Sequence, residues 1–244
     1  MKKDHVIAFI PAAGLGGRLY PITKVIPKEM FPIGNKPVIH YLVESLVRAG
    51  LRDVLIAIRP QKHAIKEYLK DGSLLGARIR YVTGSPIGID HTLRAAMPYL
   101  AKNPFLLVVG DLFVKNPKIF QELVAHYKRH RVSIDALTRD RKREFPSFAV
   151  PVAEKISTEF WNITSYRAQR TGNHAPLVSL GISILPPTFF SYFPRKSERE
   201  ISLGDLMNIF MRHEQRLGFE TKNSVHDCST PEGLLKTTRY VLHI

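Results

Sequence analysis

Between Pro11 and Ile33 the chain reads PAAGLGGRLYPITKVIPKEMFPI, directly after an apolar run. Gly14, Gly16 and Gly17 leave no Cβ between an incoming anion and the backbone N–H groups. Arg18 offers a planar fork of donors that matches phosphate oxygens, and Lys28 adds a point charge from the same loop. Holding and neutralising phosphate groups is the chemistry such a set could do. Two common phosphate motifs are excluded: no GKS or GKT follows Gly14, and the third glycine of GxGxxG is absent. Asp111 closes the apolar run FLLVVGD, and Asp227 stands just before TPEGLLKTTRYVL. On spacing alone each is as readily a strand-end or turn residue as a metal ligand. His91, His226 and Cys228 lie near these positions in sequence, but lone histidines and a lone cysteine are more often packing residues, and no role is assigned to them.

These groups need elements to position them. Apolar, β-branched runs at HVIAFIPA, DVLIAIR, IRYVTG and FLLVVGD predict strands. KPVIHYLVESLVRAG puts Val38, Leu42, Leu46 and Ala49 on one face, with Pro37 suited to the first helical turn and Gly50 to the stop. Weaker helical patterns cover QKHAIKEYLK, DHTLRAAMPYLA and PKIFQELVAHYKRH. The β-α alternation runs to about Arg131 and predicts a doubly wound unit. From Ser133 onward SIDALTR, SFAVPVA, FWNITSY and SLGISILP are strand-like with few helical spacers, so antiparallel additions to the sheet are expected. Helices return at ISLGDLMNIFMRHE and at TPEGLLKTTRYVL, where Thr230 can cap, Pro231 fits the first turn and Ser229 with Glu232 has capping-box spacing. No internal repeat or linker divides the chain.

The 244 residues are 44% hydrophobic, enough for a sizeable core. No stretch reaches the roughly 18 consecutive apolar residues of a spanning helix, and MKKDHVIAFIPAAG turns into a strand pattern rather than a signal peptide. The expectation is a cytoplasmic protein without membrane insertion; the single Cys228 fits a reducing compartment. The net charge of +15 favours phosphate-bearing partners. Its densest part, HYKRHRVSIDALTRDRKR from His126 to Arg143, reads as a helix end, a strand and a loop. That run lacks the interleaved aromatics of a single-strand binder, so a solvated face is the preferred reading and nucleic acid is not an expected partner.

The stretch PAAGLGGRLYPITKVIPKEMFPIGNKPVIHYLVESLVRAGLRDVLI resembles, nearly throughout, the opening of the sugar-phosphate nucleotidyltransferases, or sugar-nucleotide pyrophosphorylases. IPKEMFPI in particular is similar to the bacterial UTP:glucose-1-phosphate uridylyltransferase branch. The likeness continues through GSPIGIDHTLRAAMPYL, VVGD, SLGISILPPTFF and VHDCSTPEGLL, in the family's order. It implies a Rossmann-like doubly wound mixed α/β sheet of nucleotide-diphospho-sugar transferase type in a single domain. Within residues 1–244, a nucleotide half would cover about 1–131 and a sugar-side half about 132–244. The implied reaction is attack by a sugar 1-phosphate, glucose 1-phosphate by expectation, on the α-phosphorus of a nucleoside triphosphate, UTP by expectation, expelling pyrophosphate. By the family pattern Gly14 and Gly88 approach the base, Gly16, Gly17 and Arg18 hold the triphosphate, and Lys28 binds phosphate oxygens. Asp111 and Asp227 resemble the carboxylate pair that holds Mg²⁺, so the catalytic set would be Arg18, Lys28 and Asp111. Relatives commonly self-associate, and some append a C-terminal left-handed β-helix domain that is not expected here.

Departures from the pattern are concrete. Gly17 stands where a Thr or Ser usually precedes the loop arginine, and Thr83, Gly84 and Ser85 stand where a Gln usually reads the pyrimidine edge. The family's Tyr-Gly pair corresponds to Phe148-Ala149, and its Glu-Lys-Pro sugar-site motif is absent from NITSYRAQR. Arg167 or Arg170 could supply the lysine's charge, while AEK at Ala153–Lys155 precedes the strand that the motif should follow. These gaps leave a second reading open: a catalytically impaired nucleotide-binding homologue with a regulatory role.

Overall fold

The computed structural model describes residues 5–140, 149–167, 177–194, 200–222 and 225–244. Phe148, Arg170 and the last three residues of the basic run lie outside the described residues. In chain order the elements are β1 (Ile7–Pro11), β2 (Pro32–Ile33), β3 (Lys36–Pro37), α1 (Val38–Arg48), β4 (Asp53–Ile58), α2 (His63–Leu69) and β5 (Arg78–Thr83). There follow α3 (Ile89–Leu100), β6 (Phe105–Val108), β7 (Leu112–Val114), α4 (Lys118–His130), β8 (Ser133–Arg139), β9 (Val150–Lys155) and β10 (Phe160–Arg167). The last elements are β11 (Leu177–Leu185), α5 (Leu203–Phe210), β12 (Arg216–Glu220), β13 (Val225–Asp227) and α6 (Pro231–Leu242).

Nine strands form one mixed sheet in the order β5-β4-β1-β6-β11-β8-β12-β10-β9. The first four pair in parallel, as the β-α alternation requires. Side-chain alternation gives β1, β4 and β6 two buried faces, while the edge strand β5 exposes one: Ala8 and Ile10 of β1 join Val54, Ile56, Leu42 and Leu46 in one core. Phe9 of β1 joins Leu55, Ala57, Leu93 and Phe210 in the other. Such strands read as continuous apolar runs because both faces are covered by helices.

Local signals account for the helix ends. Gly50 (φ +88°) closes α1, with Leu51 N–H donating to Leu46 O at 2.9 Å and Gly50 N–H to Val47 O at 2.9 Å, a Schellman stop that needs a glycine. Pro37 sits one residue earlier than expected, as the cap before α1. Thr230 caps α6, its hydroxyl accepting from Gly233 N–H at 3.1 Å, so Ser229 lies outside the helix and is not the capping-box residue its spacing suggested.

The second half differs from its expectation in one respect. β11 pairs antiparallel with β6 and β8, and β10 antiparallel with β12 and β9. β12, however, runs parallel to β8, since α5 carries the chain back across the sheet. The basic run splits as expected over its described part: Lys128, Arg129 and His130 end α4, where cations suit the helix dipole, and SIDALTR is the buried strand β8. His126 packs between Phe160 and Phe219, at ring separations of 4.8 and 4.7 Å.

Candidate active site

β1, β6 and β5 end at the same edge of the sheet, and a cleft of about 730 Å³ opens there, lined by Pro11, Val109 and Ser85 at the strand exits. Ligands of open α/β sheets bind at this carboxyl edge. Gly14, Leu15, Arg18, Lys28, Gly88, Asp111 and Asp227 line it, so six of the eight sequence-derived candidates converge on one space. Gly16 and Gly17 do not line it; they shape the loop behind it. Gly16 adopts φ +74°, accepts from Thr23 Oγ1 at 3.0 Å, and would set a Cβ 2.9 Å from Thr23 Cγ2, so only glycine fits that turn.

The loop is held from beneath by an ion pair that the sequence reading missed. Glu29 is 0% exposed, and its two carboxylate oxygens accept from Lys62 Nζ at 3.0 and 2.7 Å. A Cβ on Gly110 would lie 3.1 Å from Glu29 Cγ, so the glycine before Asp111 lets the anchored loop close on the end of β6. Lys28, next in the chain to Glu29, donates to Asp111 Oδ2 at 2.6 Å. Burial pulls the Lys28 ammonium down, but the Asp111 carboxylate outweighs it and holds the ammonium above its ordinary value. The same contact outweighs burial at Asp111, whose carboxyl stays below the usual carboxylate range.

Asp227 arrives from a distant part of the chain through a two-stranded ribbon. β13 pairs antiparallel with β7 in a register that sets Asp227 opposite Leu112, and Cys228 N–H donates to Asp111 O at 2.9 Å. Asp227 Oδ1 accepts from Ser229 N–H at 2.9 Å, while Oδ2 is buried with no hydrogen-bond partner among the described residues. Burial pushes the Asp227 carboxyl up against the pull of that Ser229 bond, and the nearby Asp111 charge adds to the rise. An orphaned buried oxygen beside a second carboxylate suits a divalent cation that takes its remaining oxygens from phosphate and water. Among the described residues no group of three or more His, Cys, Asp or Glu side chains could hold a metal by itself. Arg18 Nη1 donates to Ser229 Oγ at 2.5 Å, tying the glycine loop to the residue after Cys228.

Several residues behave as packing groups, as read from the sequence. Cys228 is buried and its thiol is pushed up to about 12 by burial, which leaves it a poor nucleophile. His226 is buried, with Nδ1 3.2 Å from Thr237 Oγ1 and its ring tilted on Phe113 at 5.7 Å. From the second half of the chain, Ala149, Tyr166, Arg167, Gly181, Ser183 and Arg216 also line the cleft. Ala153–Lys155 do not contribute to the cleft. Gly84 lets the end of β5 close on the loop, since a Cβ there would come 2.5 Å from Ala13 Cβ.

A doubly wound sheet with a glycine loop, two cations and a carboxylate pair at its carboxyl edge defines an α/β protein built to take phosphate groups. The chain belongs to the nucleotidyl transferase family, whose description, Nucleotidyl transferase, matches residues 7–147. It is similar to UTP–glucose-1-phosphate uridylyltransferase 2 of Staphylococcus saprophyticus, 28% identical over 95% of this chain and 90% of that protein. The UTP–glucose-1-phosphate uridylyltransferase of Pseudomonas aeruginosa is 25% identical over 94% of this chain and 93% of its own length. The fold matches a UDP-glucose pyrophosphorylase solved in complex with UDP-glucose, with a TM-score of 0.86 at 23% identity and 98% of both chains covered. It also matches a UTP-bound UGPase of Acinetobacter baumannii, with a TM-score of 0.82 at 19% identity, covering 97% of this chain and 93% of the other. Among the described residues no helix is long and apolar enough to cross a membrane.

Proposed function

We propose that the chain transfers the uridylyl group of UTP to glucose 1-phosphate and releases pyrophosphate. The observation that carries this is the convergence of Arg18, Lys28, Asp111 and Asp227 on one cleft at the strand ends. A phosphate oxygen of the acceptor forms a bond to the α-phosphorus as the bond to the pyrophosphate oxygen breaks. Such a transfer needs alignment and charge neutralisation and no covalent nucleophile on the protein. Support for the nucleotide comes from the uridylyltransferase relatives, and support for the acceptor from the same names.

In this reading the backbone at Gly14 and Gly88 admits the base, and Arg18, set in place by the turn that Gly16 and Gly17 shape, grips the triphosphate. Lys28, released from Asp111, follows the phosphate oxygens on which charge builds up. Asp111 and Asp227 would hold Mg²⁺, and the ion when bound neutralises and orients phosphate oxygens. Gly17, in place of a hydroxyl residue, shapes the loop behind the cleft, and Ser85 supplies a hydroxyl where the family's glutamine is missing.

The test is a mixture of the protein, UTP, glucose 1-phosphate and Mg²⁺, with dTTP and other sugar 1-phosphates as comparators. One pyrophosphate per UDP-glucose, abolished by a chelator, is the expected result. Absence of turnover with every pair overturns the proposal.

A further inference from the structure

The sugar side of the cleft holds a buried polar cluster that none of the sequence motifs announces. Arg216 on β12 is 1% exposed and Asp135 on β8 is 0% exposed. The Arg216 Nε–H donates to Tyr166 Oη at 2.8 Å, and Nη2–H donates to Ser183 Oγ at 2.7 Å and stands 3.4 Å from Asp135 Oδ1. Tyr166 Oη–H donates to Asp135 Oδ2 at 2.7 Å, and Ser183 Oγ–H to Asp135 Oδ1 at 2.6 Å. Both carboxylate oxygens are therefore satisfied. Arg216 Nη1 is buried and has no hydrogen-bond partner among the described residues. Arg216, Tyr166 and Ser183 all line the cleft that Arg18 and Lys28 also line.

A purely structural role explains this cluster poorly. A buried ion pair is commonly no more stable than an apolar replacement of the same volume, and a buried N–H without a partner costs the full desolvation of that group. The unsatisfied donor is instead complementary to something that enters the cleft. Its charge identifies what that is. Asp135 already balances the guanidinium, so a carboxylate or phosphate on Nη1 would leave a net buried negative charge, whereas a neutral oxygen satisfies the N–H at no such cost.

We propose that Arg216 is the specificity-determining residue of the acceptor site, donating through Nη1 to one hydroxyl oxygen of the sugar. The assignment rests on the sugar 1-phosphate reading above. Recognition by a buried donor replaces the recognition by a carboxylate that the missing Glu-Lys-Pro motif would supply. Asp135, Tyr166 and Ser183 are positioning residues that hold the guanidinium in place.

The test compares glucose 1-phosphate with its 2-, 3-, 4- and 6-deoxy analogues on the wild-type protein, on Arg216→Met, and on Asp135→Asn/Arg216→Met, which removes both buried charges. A site built around a buried donor rejects the analogue that lacks the acceptor oxygen, so one deoxy analogue should lose about 10- to 100-fold in kcat/KM with the wild type. The variants should raise KM for glucose 1-phosphate by a similar factor, keep KM for UTP within about twofold, and no longer discriminate against that analogue. Equal turnover of all four analogues by the wild type overturns this inference and leaves the proposed function standing, even if neither variant folds. An unchanged KM for glucose 1-phosphate in a folded variant also overturns it. Wild-type protein that turns over no sugar 1-phosphate overturns both.

Discussion

Lys62→Met keeps an unbranched stem of similar length while removing the ammonium that satisfies both oxygens of Glu29. Glu29 is fully buried and Lys62 is 3% exposed, so water does not replace the lost partner. Breaking a buried pair from one side leaves an uncompensated charge and costs about 3–5 kcal/mol. At about 2–4 °C per kcal/mol for a domain of this size, the melting temperature should fall by roughly 6–20 °C. Glu29→Gln/Lys62→Met, which removes both charges, should recover most of that loss. Thermal unfolding followed by circular dichroism reads both numbers, and turnover measured well below either transition reads the second consequence. Because Glu29 anchors the chain next to Lys28, the single variant should also lose kcat/KM, by about 10-fold or more for a displacement near 1 Å. A Lys62→Met melt within about 2 °C of the parent, or a double variant as unstable as the single one, would refute the reasoning.

Asp227→Asn should abolish turnover yet raise the melting temperature of the metal-free protein by a few degrees, on the order of 1 kcal/mol, because it relieves a buried, partly unpartnered carboxylate. Burial raises the folded-state pKa of Asp227, so its contribution to stability is intact below the unfolded value near about 4 and is lost as pH rises through the raised value. The advantage of Asn should therefore be absent at about pH 4 and open as pH increases, read as paired melts across that range. Gly233→Ala sets a Cβ 1.7 Å from the Asp227 carbonyl oxygen, which must push the end of β13 away from Asp111. Turnover should drop about 100-fold with a stability loss of about 1–3 kcal/mol; near-parental activity would show that the Asp227 position tolerates the shift.

The first half of the fold was legible because β1, β4 and β6 are buried on both faces and its helices on one, and these two situations leave different periods in the sequence. Gly50 and Thr230 were legible for a local reason, since a stop glycine and a hydroxyl cap act within a few residues of themselves. β12 was not. RLGFE is five residues long with Gly218 at its centre, and it follows a helix whose end it can be taken to extend. A Cβ on Gly218 would meet Leu137 Cδ1 at 2.3 Å, a cross-strand contact that no local pattern encodes.

The site shows the same division. The glycine loop, Arg18 and Lys28 are close in sequence and carry their chemistry openly. The meeting of Asp111 with Asp227 depends on two three-residue strands, too short to leave a period. Ser229 has capping-box spacing to Glu232, but Thr230 is the cap, as expected, and Ser229 serves Arg18 instead. The Glu29–Lys62 pair and the Arg216 cluster had no signal at all. In a chain with 36 Lys and Arg residues, a buried cation looks the same as a solvated one until the strands around it are assembled.

The measurement that bears most directly on the central claim is pyrophosphate release from UTP and glucose 1-phosphate in the presence of Mg²⁺, run side by side for the wild-type protein and Asp111→Ala. The account predicts sustained, stoichiometric release by the wild type and its loss in the variant. Undiminished release by Asp111→Ala would contradict the site, and UTP binding without release by the wild type would make the chain a nucleotide-binding homologue that no longer catalyses transfer.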